Sequence, residues 1–507
     1  RSGDVGDGAP KEAHIFSEAV RVGVVRALIG LEAISAKAAA GGEDPDADAL
    51  SAGRSVAADE VITSTVYWEG EVARVTLSRQ RVADGVLLWS DAFETTTDDL
   101  TLTLRAVGTL VRSAYPDRRP RSDAPGLAVT ADDLRRFLDV RRRFKEKSSS
   151  AEGLAELEAL RATSPDFVDI DLQVAEIALY RFYDSRDPEH LETAELAVER
   201  AARRAPTDQR VLRHQFQVDL EAGRLDAARG SLERLAEALP GHLQVDEMRA
   251  RLLRRLGRAS EAAELLRQVT RRRPSERRLV QLARLEIDLG EVAAARRHLR
   301  DAMDRSPDAF DARSLLAQLE LTVGDPAAAA ELYGQLVERS GGTSELSNLG
   351  LAEMLLGRYD AAAEHFARAA AIEPRNPFFL LNLADALWLV GDRDSALRHY
   401  RGVVDRIAQD VAADRAQFLT VEAQALAHLG ESRRAVATVQ QALAKAPESA
   451  TVSYEAALVY ALVGETTSAL VQAEAALRRG VEPRWFSFPW FDALRERDDF
   501  RALISGS

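Results

Sequence analysis

LGRYDAAAEHFARAAAIEP, residues 356–374, places a glycine, a small residue and a proline at intervals that the rest of the chain repeats. Gly357 is followed five residues later by Ala362 and seventeen residues later by Pro374. A glycine after a helical run ends that helix in a left-handed or tight turn, where a β-carbon is penalised. An alanine one turn into the next helix lets two helices approach closely, and the proline stops the second helix.

The same pattern extends in both directions. Gly223, Gly257, Gly290, Gly324, Gly357, Gly391, Gly430 and Gly464 are separated by 34, 33, 34, 33, 34, 39 and 34 residues. Five residues after them stand Ala228, Ala262, Ala295, Ala329, Ala362, Ala396, Ala435 and Ala469. Seven residues before each, the position is Ala or Gly except at Phe216. Pro240, Pro274, Pro307, Pro374 and Pro447 follow five of the glycines by seventeen residues. Eight periods in register resemble the tetratricopeptide repeat, a helical hairpin of about 34 residues.

That resemblance implies a mostly α fold, a right-handed superhelix of about ten helical hairpins. Pro165 and Pro206 bracket one pair, with a longer connection at YDSRDPEH, and residues 131–147 and 151–163 form a degenerate pair before it. The 39-residue step covers IAQDVAADRAQ and predicts a longer second helix there. A solenoid leaves its last apolar face open and needs an atypical terminal unit. Trp485, Phe486, Phe488, Trp490 and Phe491 in RWFSFPWFDALRERDDFRALI supply that cover, with an aromatic docking patch as the competing reading.

The front of the chain has another rhythm. FSEAVRVGVVRALIGL predicts a helix, LEAISAK a strand and DADALSAGRSVAA a second helix. EVITSTVYWEG, EVARVTLSRQRVA and GVLLWSDAFE then read as a three-stranded antiparallel meander, with Gly70 and Gly85 in its turns. DDLTLTLRAVGTLVRSAY closes as a helix of four turns. The resulting organisation is a disordered tail at 1–13, an α/β domain at 14–117, a linker at 118–130, a helical solenoid at 131–481 and a capping segment at 482–507. The meander, with its LWS triplet, resembles the TolB N-terminal-like (FlgO-like) domain, although that family opens with an apolar strand that RSGDVGDGAP does not supply.

Composition limits the chemistry. The 507 residues are 46% hydrophobic and 29% charged, as in a folded chain, and exceed one compact core. A net charge of −14 argues against nucleic acid as a partner. The absence of cysteine removes disulfides and thiolate chemistry. No Gly-rich phosphate loop, GxSxG elbow or HExxH motif occurs. His298, His365 and His399 each follow a repeat glycine by eight residues, but helices pack about 8–10 Å apart, too far for a shared metal. Asp44, Asp46 and Asp48 begin like a calcium loop, yet Ala49 and Ser55 stand where the glycine and the bidentate Glu belong. The run Arg141, Arg142, Arg143, Lys145, Lys147 reads as a solvated helix face. The chain is therefore expected to need no cofactor and no metal and not to be an enzyme itself.

Repeats of this kind present their first helices to a concave groove. Counting back from each glycine, the resemblance assigns to it Arg210, Arg213, His214, Arg251, Arg254, Arg255, Arg277 and Arg284 early in the array. Later it assigns Asn348, Leu351, Met354, Phe378, Leu381, Asn382, Asp385 and Trp388. A basic stretch followed by an apolar one suits an acidic protein or peptide with apolar anchors, or a second copy of the chain as a homodimer. The competing reading pairs the arginines with acidic residues such as Glu247 and Asp288. The combined resemblance implies the sensory or scaffold region of a bacterial membrane-anchored Ser/Thr kinase, adenylate cyclase or CadC-like regulator, on the periplasmic side. Because the chain starts at Arg1, its membrane segment and effector domain are expected upstream. A free-standing envelope assembly or transport adaptor is the alternative.

Overall fold

The computed structural model describes residues 13–505 except 33, 35–48, 51, 55–57, 71, 97–98, 122–128, 147–150, 307 and 410–414. These divide into two compact units, one running to Glu291 and including Asp304–Ser306, the other comprising Val292–Met303 and the chain from Pro307 onward.

The first unit opens with α1 (Ala13–Ile29), then β1 (Glu60–Glu69), β2 (Val72–Arg81), β3 (Leu87–Thr96) and α2 (Leu100–Ala114). The three strands form the expected meander in the order β1-β2-β3, with Gly70 and Gly85 at φ +62° and +71° in its turns. Period-two alternation on the central strand sends Ala73, Val75 and Leu77 into the core. α1 and α2 cover that face, and the Phe16 ring meets Trp68 edge-on at 5.1 Å. Asp99 caps α2 by accepting the Leu102 N–H at 2.8 Å. The expected strand LEAISAK contributes only Leu31, bridged to Pro120; most of it, and most of the second predicted helix, lies outside the described residues.

Helices follow in pairs: α3 (Ala131–Glu146) with α4 (Ala151–Thr163), α5 (Val168–Ser185) with α6 (Pro188–Arg204), α7 (Gln209–Glu221) with α8 (Leu225–Ala238), and α9 (Leu243–Arg255) with α10 (Ala259–Arg272). α11 (Glu276–Asp288) is the last helix of this unit. The meander module packs on the first pairs, while residues 122–128 of the expected linker lie outside the described residues. Phe16, Val20, Val75 and Val107 share one core with Leu134, Phe137 and Ile170. Residues 119–121 are tied down, with Glu32 N–H donating to the Arg119 carbonyl and Arg121 N–H to that of Gly30. YDSRDPEH is not a long connection: α5 runs through it to Ser185, and the turn is taken by Arg186 at φ +57°.

The second unit carries α12 (Val292–Arg305), then α13 (Phe310–Thr322) with α14 (Pro326–Ser340), α15 (Thr343–Leu355) with α16 (Tyr359–Ile372), α17 (Pro377–Val390) with α18 (Arg393–Ile407), α19 (Ala416–His428) with α20 (Ser432–Lys445), and α21 (Ala450–Leu462) with α22 (Thr466–Arg478). α18 is 15 residues long against 14 for α16 and ends at Ile407; residues 410–414 of the stretch expected to lengthen it lie outside the described residues. No helix among the described residues is long and apolar enough to cross a membrane.

The small residues do what the spacing demands. All eight alanines after the glycines are fully buried, as are Phe216 and the residues from Ala250 to Ala457 at the position seven before, apart from Gly350, where the question is one of space. A Cβ on Gly350 would sit 2.6–2.9 Å from the Phe366 ring, itself fully buried in the partner helix. Seven of the eight repeat glycines have φ between +73° and +102°. Gly324 differs: a Cβ there would collide with the Glu320 carboxylate, which is held by Arg296 at 2.9 Å.

Gly350→Ala should therefore destabilise the protein by about 1–3 kcal/mol, because overpacking against an immobile ring outweighs the better helix propensity of alanine. Gly334→Ala, on a helix where nothing stands within 4 Å of the new methyl group, should stabilise it by about 0.5–1 kcal/mol. Urea unfolding of both variants checks the contrast.

Candidate protein-binding surfaces

In the first unit, Arg210 is buried between carboxylates, pairing with Asp169 at 2.6 Å and Asp208 at 2.7 Å. Asp169 also takes Arg26 of α1. Burial works against the Asp169 charge, but Arg210 and Arg26 outweigh it and hold the carboxyl well below the usual range. This cluster fastens the meander module to the repeats, so Arg210 is not offered to a ligand. Arg213 donates to the Gln209 carbonyl at 3.2 Å, and burial lowers its pKa. His214 Nδ1 lies 2.8 Å from the Arg210 carbonyl, and burial keeps this imidazole neutral.

The remaining arginines split into two groups. Arg254 pairs with Asp288 at 3.1 Å, as the competing reading expected, and Arg255 donates to the Leu220 carbonyl at 2.7 Å. Glu247 is taken by Arg278. Arg277 and Arg284 are exposed on α11 and Arg251 is half-buried on α9; among the described residues none of the three has a carboxylate partner. Arg251 lies 5.8 Å from the centre of the Phe216 ring. Arg141, Arg142 and Arg143 are not a free basic face. They pair with Glu18 at 3.1 Å and with Asp139 at 2.9 Å each, whereas the side chains of Lys145 and Lys147 lie outside the described residues.

In the second unit the predicted positions converge on a buried polar centre. Asp385 accepts the Tyr400 hydroxyl and the Gln424 amide, both at 2.7 Å. Burial pushes its carboxyl up to about 8 against those two hydrogen bonds, with Glu455 adding to the rise. His428 stacks on Tyr400 at 4.4 Å and meets Trp388 at 4.8 Å; burial holds its pKa down at about 3. Its Nε2 stands 3.8 Å from Asp385 and has no hydrogen-bond partner among the described residues. Both groups are therefore neutral at pH 7, and the contact is not an ion pair. Arg393 lies 3.6 Å from the Trp388 ring centre. Asn382 donates to Ser347 at 3.2 Å, Asn348 hydrogen-bonds Tyr333, and Phe378 meets Phe418 at 5.4 Å. Leu381 and Met354 are buried and Leu351 half-buried, so these three serve the core more than a ligand.

The aromatic C-terminal segment proves to have two parts. Residues 492–505 pack on α22 and close the array, with Leu494 and Phe500 fully buried. Residues 483–491 instead run back along the first helices. Pro483–Ser487 touches α15, Arg484 donates to the Gly324 carbonyl, Tyr454 donates to the Trp485 carbonyl at 3.0 Å, and Trp490 lies 6.1 Å from His428. Sequence reasoning read this segment as cover for the last repeat, with an aromatic docking patch as the competing reading, and did not foresee its path back along the first helices. It also missed Gln424 and His428, although Gln424 stands six residues before its glycine, as Asp385 does before Gly391.

No set of three metal-ligating side chains is grouped among the described residues. The pH response of the Asp385 centre has a definite sign. A carboxyl raised above its unfolded pKa holds its proton longer when folded, so its contribution is lost as pH climbs towards about 8, and Glu455, raised by burial to about 7, acts in the same direction. His428, lowered when folded, has the opposite slope but is spent above the unfolded histidine value of about 6.5. Stability should therefore fall from about pH 6.5 to about 8 and level off above that. Asp385→Asn, with the Gln424 amide turned to accept, should melt on the order of 5 °C above the parent at pH 9 and lose that advantage at pH 5, as followed by thermal unfolding.

Two family models, both described as tetratricopeptide repeat, match the chain, one at residues 213–277, 280–345, 317–377 and 420–482 and the other at 353–418. No curated protein sequence matches it. Among solved structures, a tetratricopeptide repeat protein from Parabacteroides merdae is 17% identical over 51% of this chain and 98% of its own, with a TM-score of 0.40. The C-terminal part of such a protein from Cytophaga hutchinsonii is 15% identical over 48% and 97%, with a TM-score of 0.37. A thermophilic one from Thermus thermophilus is 22% identical over 39% and 100%, with a TM-score of 0.31. With the family models spanning α7 to α22 and the hairpins in register, the chain belongs to the tetratricopeptide repeat family.

Proposed function

We propose that the chain is a non-catalytic protein–protein interaction and sensing module of a bacterial membrane-anchored signalling protein, and that its first unit captures an acidic segment of a partner. Tetratricopeptide repeat proteins are in general protein-interaction scaffolds. The observation that carries the acidic preference is the set Arg251, Arg277 and Arg284, three guanidiniums on the first helices α9 and α11 without a carboxylate of their own. Arginine forks engage carboxylates in pairs, and exposed charges left uncompensated favour an anionic ligand over water only modestly until several act together. The meander module, by its resemblance to TolB N-terminal-like domains that precede such repeats, supports the regulatory setting and an extracytoplasmic location.

A decapeptide of glutamates with a terminal Trp should bind the intact chain, and its affinity should fall as NaCl rises from 50 to 300 mM on screening grounds. Arg251→Glu with Arg284→Glu should weaken it at least about tenfold, since two attractions become repulsions. Arg254→Glu, at a residue already paired with Asp288, should matter much less. Calorimetric titration decides: equal affinity for the double variant and the parent rejects the basic-surface reading.

A further inference from the structure

A terminal cap has to cover only the last hairpin, and residues 492–505 do so on α22. Residues 483–491 go further than capping requires. They reach α15, three hairpins upstream, and Arg484 hydrogen-bonds the carbonyl of Gly324, 160 residues earlier. On that path the backbone at Trp485 is held by Tyr454, and Arg495 donates to the carbonyls of Phe486 and Phe488 at 2.8 and 2.9 Å. The segment, folded into 3-10 turns at Pro483–Ser487 and Pro489–Phe491, is thus held as a docked peptide is held, by side-chain donors to its carbonyls and by aromatic anchors, on the first-helix face where this family receives ligands.

The fit is incomplete. Nε and Nη2 of Arg484 are buried without a hydrogen-bond partner among the described residues, although Glu482, Glu320 and Asp325 stand close enough to act on its charge. Nε1 of Trp490 and Nε2 of His428, whose rings lie 6.1 Å apart, have no hydrogen-bond partner among the described residues either. Buried donors left unpaired weigh against the seated form. A segment fixed by sequence as the chain's permanent terminus has no reason to leave three side chains unsatisfied. A segment that must release has one.

We propose that the first-helix face of the second unit is a docking site for an aromatic peptide in 3-10 turns that carries an arginine, and that residues 481–491, VEPRWFSFPWF, are the chain's own copy of that ligand. This rests on the protein-binding reading above but concerns another surface and another ligand chemistry. The built-in copy competes with the partner, so apparent affinity is reduced by the fraction of chains whose face is open.

The test is fluorescence anisotropy with a dye-labelled peptide of residues 481–491. The full chain should bind it weakly. Arg484→Ala with Trp490→Ala, which leaves the capping anchors Leu494 and Phe500 in place, should bind it at least about tenfold more tightly. Adding Asn382→Arg, on the face itself, should abolish the gain. Equal affinity for the parent and the opened chain, or binding indifferent to Asn382→Arg, overturns the proposal, as does a dimer of the opened chain in sedimentation that excludes the peptide. Should the opened variant not fold, hydrogen exchange of the isotopically labelled parent still decides. Excess unlabelled peptide should speed exchange at 483–491 and not at 498–505, and no change at 483–491 refutes displacement. Retention of the glutamate peptide by the first unit alongside failure here would remove only this inference.

Discussion

The close approach of two helices within each hairpin is the constraint on which the rest depends. Helices can lie this near only where the facing residues are small, and here they are the alanine after each glycine and the small residue seven before it. Gly350 shows how little room there is, with the Phe366 ring filling the space a methyl group would need. Once each pair is closed in this way, its remaining apolar surface faces the next pair, and a core continuous from Ala317 to Phe500 forms in the second unit. Gly324 shows the same economy by other means, since a carboxylate bound to Arg296 takes the place a side chain would occupy.

Such an array buries large surfaces between helices but leaves the first helices with polar and charged groups that must be settled locally. The two units do this differently. In the first, carboxylates and arginines neutralise one another, and the Arg26–Asp169–Arg210 chain joins the meander module to the repeats. Burying such charges costs solvation that their mutual attraction repays only when the geometry is good, which makes the cluster a specifier of position more than a source of stability. In the second, the polar groups are neutral: a protonated Asp385, an uncharged His428 and the amide of Gln424 under a roof of aromatic rings.

The terminal segment belongs to both problems. Phe486 and Phe491 are as deeply buried as any core residue, and Trp485, Phe488 and Trp490 join the same aromatic cluster. Its arginine and its indole donor, by contrast, enter a surface whose own groups do not complete them. An aromatic anchor with unsatisfied polar edges holds less firmly than its buried area suggests, because area and net affinity are different quantities.

The sequence alone determined the repeat, its register, the meander and the residues that close each hairpin, because these are local rules: a turn that needs positive φ, a crossing that needs a small side chain, a proline that ends a helix. It also placed Asp385 and Trp388 on the first-helix face. Which arginines are free was not legible, since Arg210, Arg254 and Arg255 differ from Arg251, Arg277 and Arg284 only in partners supplied from other helices. The path of residues 483–491 was hidden for the same reason. Arg484 and Gly324 are 160 residues apart, and only the stacking of hairpins brings that carbonyl within reach of that guanidinium.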